Sequence, residues 1–375
     1  MDTHHHFHKI HLLKDELSEV YWNLAIQSFG LSLISIFIPI YLLQLGYTVS
    51  NVLLFMIFYF GMVAVFSPLS ALFANKFGFK HVILFRTPLL LAFMAGLYFL
   101  PNFRNIIFFI AIVGGIAGSL YWISINSIFS KASDKKHRGK QVGKLVSLPS
   151  FASLLGPLIG GFVAVAFGMD ILLIISFVIL LVSPIPLFFT KEVKPHVKFS
   201  LKKLMTKEHA KFLKGFLADG PRFVAGAILW PIFVYIILND TVSVGIMATL
   251  GSVGVILFTV YIGKISDKIN RNVLLRLGGI LGALIWSIRI FAKQAWHVFV
   301  LTFCAGMFTV LIDVPFIAMS FDKANKDKDD AFIVFRELGL GFGRVITLVV
   351  LMFVFQTFII GFSLSGLASL VFTVF

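Results

Sequence analysis

The chain has 375 residues, of which 59% are hydrophobic and only 13% charged. A soluble domain carries about 25% charged residues, so this composition excludes a water-covered globule and places the chain in a bilayer. The net charge of +15 does not imply nucleic acid, because the basic residues stand in short loops between apolar runs, where they fit the positive-inside rule and anionic lipid headgroups.

Residues 1–19 are polar and include His4, His5, His6, His8 and His11. Imidazoles ligate zinc and nickel, but no Cys or carboxylate stands beside them at a metal-site spacing. The stretch reads as a solvated or tag-like cytoplasmic tail, and no metal or cofactor is expected. The first apolar run follows near residue 20 without a small-residue cleavage site, so it reads as a first membrane helix and not a removed signal peptide. Runs long enough to span a bilayer at 1.5 Å per residue lie near 20–45, 48–74, 81–100, 106–130, 142–167 and 170–190. A lysine-rich linker covers 191–211. Further runs lie near 212–238, 241–262, 273–292, 296–321, 337–357 and 360–375. The expected fold is an all-α polytopic membrane protein, with twelve transmembrane helices in bundles of six over 20–190 and 212–375.

Lys and Arg concentrate in the connectors at 75–80, 131–144, 191–214, 264–272 and 323–336. The alternate connectors hold only Arg104 and Lys293. Both termini and the linker are therefore expected in the cytoplasm. The single Cys, Cys304, lies in an apolar run, which leaves no disulfide frame and no CxxC site. No GxxxxGK[ST] loop and no nucleophile–base pair is present, so neither an ATPase nor a covalent enzyme is expected.

Positions repeat at an offset of 192. Pro39 matches Pro231, and Lys131-Ala132 matches Lys323-Ala324. Gly263-Lys264-Ile265-Ser266-Asp267-Lys268-Ile269-Asn270-Arg271-Asn272 is a charged loop after the second apolar run of its half. Its counterpart runs from Ala71 to Lys80 and includes Asn75, Lys76 and Gly78. Physically, each loop must turn tightly and then cap a helix. Asn270 stands in for Gly as the next most tolerant residue of left-handed backbone, while Lys268 and Arg271 face the cytoplasm.

This loop pair resembles the G-x-L-a-D-r-x-G-r-k loop of major facilitator superfamily transporters. The first copy departs from it, with Ala71 for Gly, Asn75 for the acid and Phe79 for a base. The resemblance implies two six-helix repeats related by an axis along the membrane normal, with a substrate site between them near mid-bilayer. It also implies that Asp267 caps a helix of the opposite half and braces an outward-open state. Gly156-Pro157-Leu158-Ile159-Gly160-Gly161 matches the G-P-x-x-G-G of drug–proton antiporters. The residues themselves read as a small-xxx-small helix contact at Gly156 and Gly160, with a kink at Pro157. Those antiporters also carry an arginine four residues before a Gly in the fourth helix, where this chain has Ile110 and Ala111 before Gly114 and Gly115.

Ionisable groups inside a membrane are costly and mark functional sites by default. Asp219 and Arg222 lie three apart on one helix face, split by Gly220-Pro221. Asp313 precedes Pro315, and Arg344 follows Gly339, Gly341 and Gly343. Counted along their helices, these four share a slab roughly 10–15 Å below the cytoplasmic surface. The expected groupings are Asp313 with Arg344 and Asp219 with Arg222, facing the cavity to bind solute or exchange protons. A structural ion pair is the competing reading. The first half has no intramembrane acid by this placement. Its wall would offer Gln27, Ser28, Tyr121, Trp122, Ser124 and Asn126, with Trp122 and Trp230 facing inward. Arg86 and Arg289 sit near helix ends and are expected to snorkel to the interface.

The sequence thus reads as a monomeric secondary transporter in the membrane, cytoplasmic if prokaryotic. It would move a small amphipathic or ionic organic solute, with protons as a candidate coupling ion. Drug efflux, lipid movement and a non-transporting sensor are the alternatives.

Overall fold

The computed structural model describes residues 3–190, 207–327, 331–354 and 357–375. Among these residues every regular element is helical. Before the linker the helices are α1 (Thr3–Ser32), α2 (Ile38–Gln44), α3 (Val49–Phe77), α4 (Phe79–Phe99), α5 (Ile107–Ala132), α6 (Arg138–Ala152), α7 (Gly156–Phe167) and α8 (Met169–Val182). After it come α9 (Lys207–Val224), a π turn (Ala225–Leu229) and α10 (Trp230–Leu238). The rest are α11 (Thr241–Ile265), α12 (Arg271–Arg289), α13 (Ala295–Asp327), α14 (Ala331–Met352) and α15 (Thr357–Leu370).

Nine helical segments among the described residues are long and apolar enough to cross a membrane. The remaining expected spans differ in kind. α14 carries Arg336, Glu337 and Arg344, while Phe358–Val374 is a shorter apolar helix. The first span is broken. Its helix begins at Thr3, well before residue 20, and gives way to turns at 33–37 before α2. Pro39 explains the break, since it has no N–H for the carbonyl one turn back. The side chains of the histidine-rich stretch lie outside the described residues.

The expected span at 142–167 is also two helices, and Pro157 starts the second of them. Here two chain breaks meet. A methyl added to Gly156 would stand 1.8 Å from the Ser32 hydroxyl, and one on Gly160 would stand 2.1 Å from the Leu33 carbonyl. Only hydrogen at those Cα atoms lets α7 lie this close to the end of α1. On its other side, Gly161 faces Thr241 and Val242, and Pro157 backs onto Gly245 of α11.

Residues before the linker meet those after it along two seams. α3 packs on α14, and α6–α7 pack on α11. α3 and α4 are joined by Gly78 alone, whose φ of +89° is a left-handed setting that suits glycine.

Candidate functional site

Pro221 leaves the Leu217 carbonyl without a helical donor, and that carbonyl lies against Gly343, where a Cβ would stand 2.7 Å away. α9 and α14 therefore touch backbone to backbone. This contact carries Arg344 to within 3.7 Å of Asp219, with the guanidinium 3.8 Å from the centre of the Phe223 ring. Arg222 points to α13 instead. It bonds Asp313 at 2.9 Å and Thr309 at 3.0 Å, and it keeps Asp219 at 3.4 Å. Thr309 in turn donates to Asp313 at 3.1 Å.

The expected Asp313–Arg344 pair is thus not formed. The four charges run Arg344, Asp219, Arg222, Asp313, alternating in sign across three helices. The expectation counted residues along each helix and carried no information on the direction each side chain takes around it. Arg222 turns to α13, so Asp313 is taken, and Arg344 reaches the other acid.

Two cavities adjoin this row. One of about 400 Å³ is walled almost wholly by the second half and is lined by Asp219, Arg222, Asp313 and Trp230. The other, about 760 Å³, lies between the halves and is lined by Gln27, Tyr121, Trp122, Asn126 and Arg344. Ile36, Phe223, Ala227 and Ser252 belong to both walls. The π turn sits at this partition. Its extra residue is registered by the Trp230 N–H bonding the Ala225 carbonyl, five residues back. The Trp230 indole donates to Thr302 at 2.9 Å. Trp122 is 40% exposed, whereas Tyr121 is buried and donates to Asn23 at 2.8 Å.

Three charged groups on these walls were missed or misplaced by sequence reasoning. Arg86 does not snorkel to the interface. It is 3% exposed, donates to Gln27 at 2.9 Å, and stacks 4.6 Å from the Tyr121 ring. Its Nε has no hydrogen-bond partner. Arg289 is likewise 3% exposed, held between Trp230 and Trp286. Glu337 is buried, pairs with Arg336 and accepts from Asn126 at 3.1 Å across the two halves. The available signal was depth. Arg86 stands seven residues past Phe79, about 10 Å in, which is as deep as the groups that were singled out. Glu337 was placed at a helix start, but α14 begins at Ala331 and carries it inward. Together the two cavities present Arg86, Arg222, Arg289, Arg336 and Arg344 against Asp219, Asp313 and Glu337. Five guanidinium groups thus face three carboxylates.

The charged-loop end is closed by the second loop copy. Both carboxylate oxygens of Asp267 accept backbone N–H groups at the start of α6, from Gly139 at 2.7 Å and Lys140 at 2.9 Å. A helix N-terminus offers such free donors and a favourable dipole. Gly263 lies against Gly143, letting α11 and α6 approach. Arg271 does not simply face water. It pairs with Asp267 at 3.5 Å and with Asp322, which Arg138 of the other half also approaches at 3.5 Å. Lys268 is exposed. Asn270 is not left-handed, with φ −59°, and its side chain caps α12 by accepting from the Asn272 N–H at 3.0 Å.

The first copy works differently. Lys76 stacks 5.2 Å from the Phe77 ring. Lys80 is 2% exposed and bonds Glu19 at 2.7 Å and the Thr190 hydroxyl at 2.6 Å. The first half therefore does hold a buried acid, Glu19, at its charged-loop end. Among the described residues no group of three or more His, Cys, Asp or Glu is placed to hold a metal.

The sequence model described as Major Facilitator Superfamily matches residues 20–239. The multi-drug resistance efflux pump PmrA of Streptococcus pneumoniae is 29% identical over 194 residues, 47% of each chain, so the matched stretch spans about half of that relative's length. A PmrA homolog of Lactococcus lactis is 24% identical over 296 residues, covering 74% of this chain and 73% of the relative. The quinolone resistance protein NorA of Staphylococcus aureus is 23% identical over 308 residues, covering 78% and 70%. Among solved structures, a bacterial homologue of the iron transporter ferroportin, in an outward-facing state, aligns with a TM-score of 0.75 at 11% identity, covering 96% of this chain and 98% of its own. The human organic anion transporter MFSD10 aligns at 0.68 and 10%, covering 96% and 99%. At such identities the likeness is one of fold.

Proposed function

We propose that this chain, which belongs to the Major Facilitator Superfamily, is a multi-pass membrane transporter whose cargo is an amphipathic organic solute bearing an anionic group. One observation carries this reading. Arg86 is buried on the wall of the larger cavity with an unpartnered Nε, and among the described residues no carboxylate pairs with it. An uncompensated charge at this depth is costly. A carboxylate or sulfonate arriving beside it removes that cost and gains charge-assisted hydrogen bonds. Phe55, Phe60, Phe93 and Phe223 line the same space and suit an apolar body, and about 760 Å³ is ample for an organic molecule.

The cycle would be alternating access, with the Asp267 and Asp322 contacts sealing the charged-loop end in this conformation. The positive-inside rule assigns that end to the cytoplasm. Asp219 and Asp313 are the groups we assign to proton exchange, since a proton on either would weaken the alternating row and free an arginine.

A second reading is efflux of lipophilic compounds. The names of the curated relatives favour it, as does Glu337, an acid on the larger cavity that suits a cationic cargo. Uptake into everted vesicles of an aryl carboxylate, its amide and its amine separates the two. Preference for the carboxylate, lost in Arg86→Gln, supports the anionic cargo. Preference for the amine, unchanged in Arg86→Gln, rejects it.

A further inference from the structure

Arg289 is the last residue of α12, at the end remote from the charged loops. Its guanidinium carbon lies 4.3 Å from the ring centre of Trp230 and 4.4 Å from that of Trp286. Both indoles are buried, and Phe362 packs on each of them. The two rings lie against the guanidinium without neutralising it, because an aromatic ring offers a quadrupole and no charge. Nε has no hydrogen-bond partner, and among the described residues no carboxylate pairs with Arg289.

The acids of its chamber are turned elsewhere. Asp219 and Asp313 both bond Arg222. The Trp230 N–H is given to Thr302, so it does not compete for a ligand at the guanidinium. What remains is a desolvated guanidinium fork on the wall of a chamber of about 400 Å³. A fork of this kind takes an anion in its plane.

We infer that Arg289, clamped by Trp230 and Trp286, is a binding site for a small monovalent anion, separate from the position of Arg86. The anion is either a halide from solution or the carboxylate of an organic solute, and both place a single negative charge against the fork. The site stands whether or not the cargo of the larger cavity is an anion, since the two arginines line different chambers.

The test uses the full chain purified into lipid nanodiscs. At constant ionic strength, sodium sulfate, a strongly hydrated dianion, is replaced stepwise by chloride or iodide, and separately by acetate or benzoate. Melting temperature and tryptophan emission are followed. A ligand that binds the folded form raises the melting temperature saturably. The expected result is a saturable rise with at least one of these anions, and quenching by iodide that reports contact with the two indoles. The halide-driven rise and the saturable part of the quenching, as distinct from collisional quenching of the exposed Trp22, Trp122 and Trp296, should vanish in Arg289→Gln and persist in Arg86→Gln. A carboxylate response is scored in the Arg86→Gln background, where it should vanish when Arg289→Gln is added.

Arg289→Lys keeps the charge and loses the fork, so it should bind at least about tenfold more weakly, the factor for one lost charge-assisted bond. It also decides the matter if Arg289→Gln does not fold. A response to halides alone identifies a free ion, and a response to carboxylates alone identifies the solute's anionic group. Either supports the site. No response in the wild type, or an undiminished one in Arg289→Gln or Arg289→Lys, overturns it.

Discussion

Asp267 accepts the backbone N–H of Gly139 at 2.7 Å, joining a loop of the second half to the first turn of a helix in the first. The bond is one of two from the same carboxylate, the other coming from Lys140. It ties the halves together at the charged-loop end while leaving the cavities behind it.

Replacing Asp267 by Asn keeps one acceptor oxygen and removes the charge. A carboxylate at a helix N-terminus contributes about 0.5–2 kcal/mol, so the closed state should lose about two- to thirtyfold in population. A cysteine placed at Ser130, in a Cys304→Ser background, reports the change. Ser130 is buried and bonds Asn325 across the seal at 2.9 Å. Maleimide labelling there should speed up in Asp267→Asn. An unchanged rate would show that the contact does not hold the end closed.

The alternating row makes Arg222 the most damaging single loss, since its removal leaves two acids facing each other. Breaking a buried pair costs about 3–5 kcal/mol, and Arg222→Met should lower the melting temperature accordingly. Arg222→Met with Asp313→Asn leaves the Arg344–Asp219 pair and should recover much of that loss. Coupling of about 1–3 kcal/mol in the cycle is expected. Strict additivity would mean that the row is not a unit.

A Cβ on Gly160 would press on the Leu33 carbonyl, a backbone atom that cannot swing aside. Gly160→Ala should cost about 1–3 kcal/mol, as overpacking does. Gly168→Ala is the control for crowding, because nothing lies within 4 Å of its Cβ position. Its φ of +87° adds backbone strain but no clash. Melting curves of the two variants should therefore differ in how far they are rescued by Phe37→Leu, which trims the ring whose edge stands 3.0 Å from the same Cβ position and so lets the Leu33 segment shift. Equal behaviour would remove the contact as the cause.

Asp240 caps α11 between two spans, and the Ser243 hydroxyl holds its pKa below the usual carboxylate value, helped by the N–H groups of Ser243 and Val242 against partial burial. A carboxyl whose folded pKa is depressed contributes fully above its unfolded pKa, about 3.9. That contribution is lost as pH falls through the lower folded value. The wild type should exceed Asp240→Ala by about 1 kcal/mol at pH 7, and the gap should narrow below about pH 4. Denaturation at the two pH values measures it, and a constant gap would falsify the assignment.

The parts legible in the sequence are those set by short-range pattern. Asp219 and Arg222 read as neighbours because three residues bring side chains to one helix face. Asp267 stood out because its loop forms a worn pair with the stretch from Ala71 to Lys80. Depth was legible wherever a helix end could be placed within a turn. Rotation about the helix axis was not, because it depends on packing partners far away in the chain. Arg289, the last residue of its helix, lies close enough to the end to reach water, and only the neighbouring helices turn it inward onto the two tryptophans. The break at 33–37 was hidden for a related reason. Pro39 permits a break, but the approach of Gly156 and Gly160 gives it a purpose in the packing.

Asp322 is a single carboxylate with an arginine of each half on it, Arg138 and Arg271. In a network, vertices do not fail alike. Losing either arginine leaves the other anchored to the acid, so the seal thins by one strand. Losing the acid releases both at once, and leaves Arg138 buried without a carboxylate and Arg271 leaning on Asp267 alone. The end of the bundle should therefore let go in one step and not by degrees, with Asp322 as the knot that sets when it does.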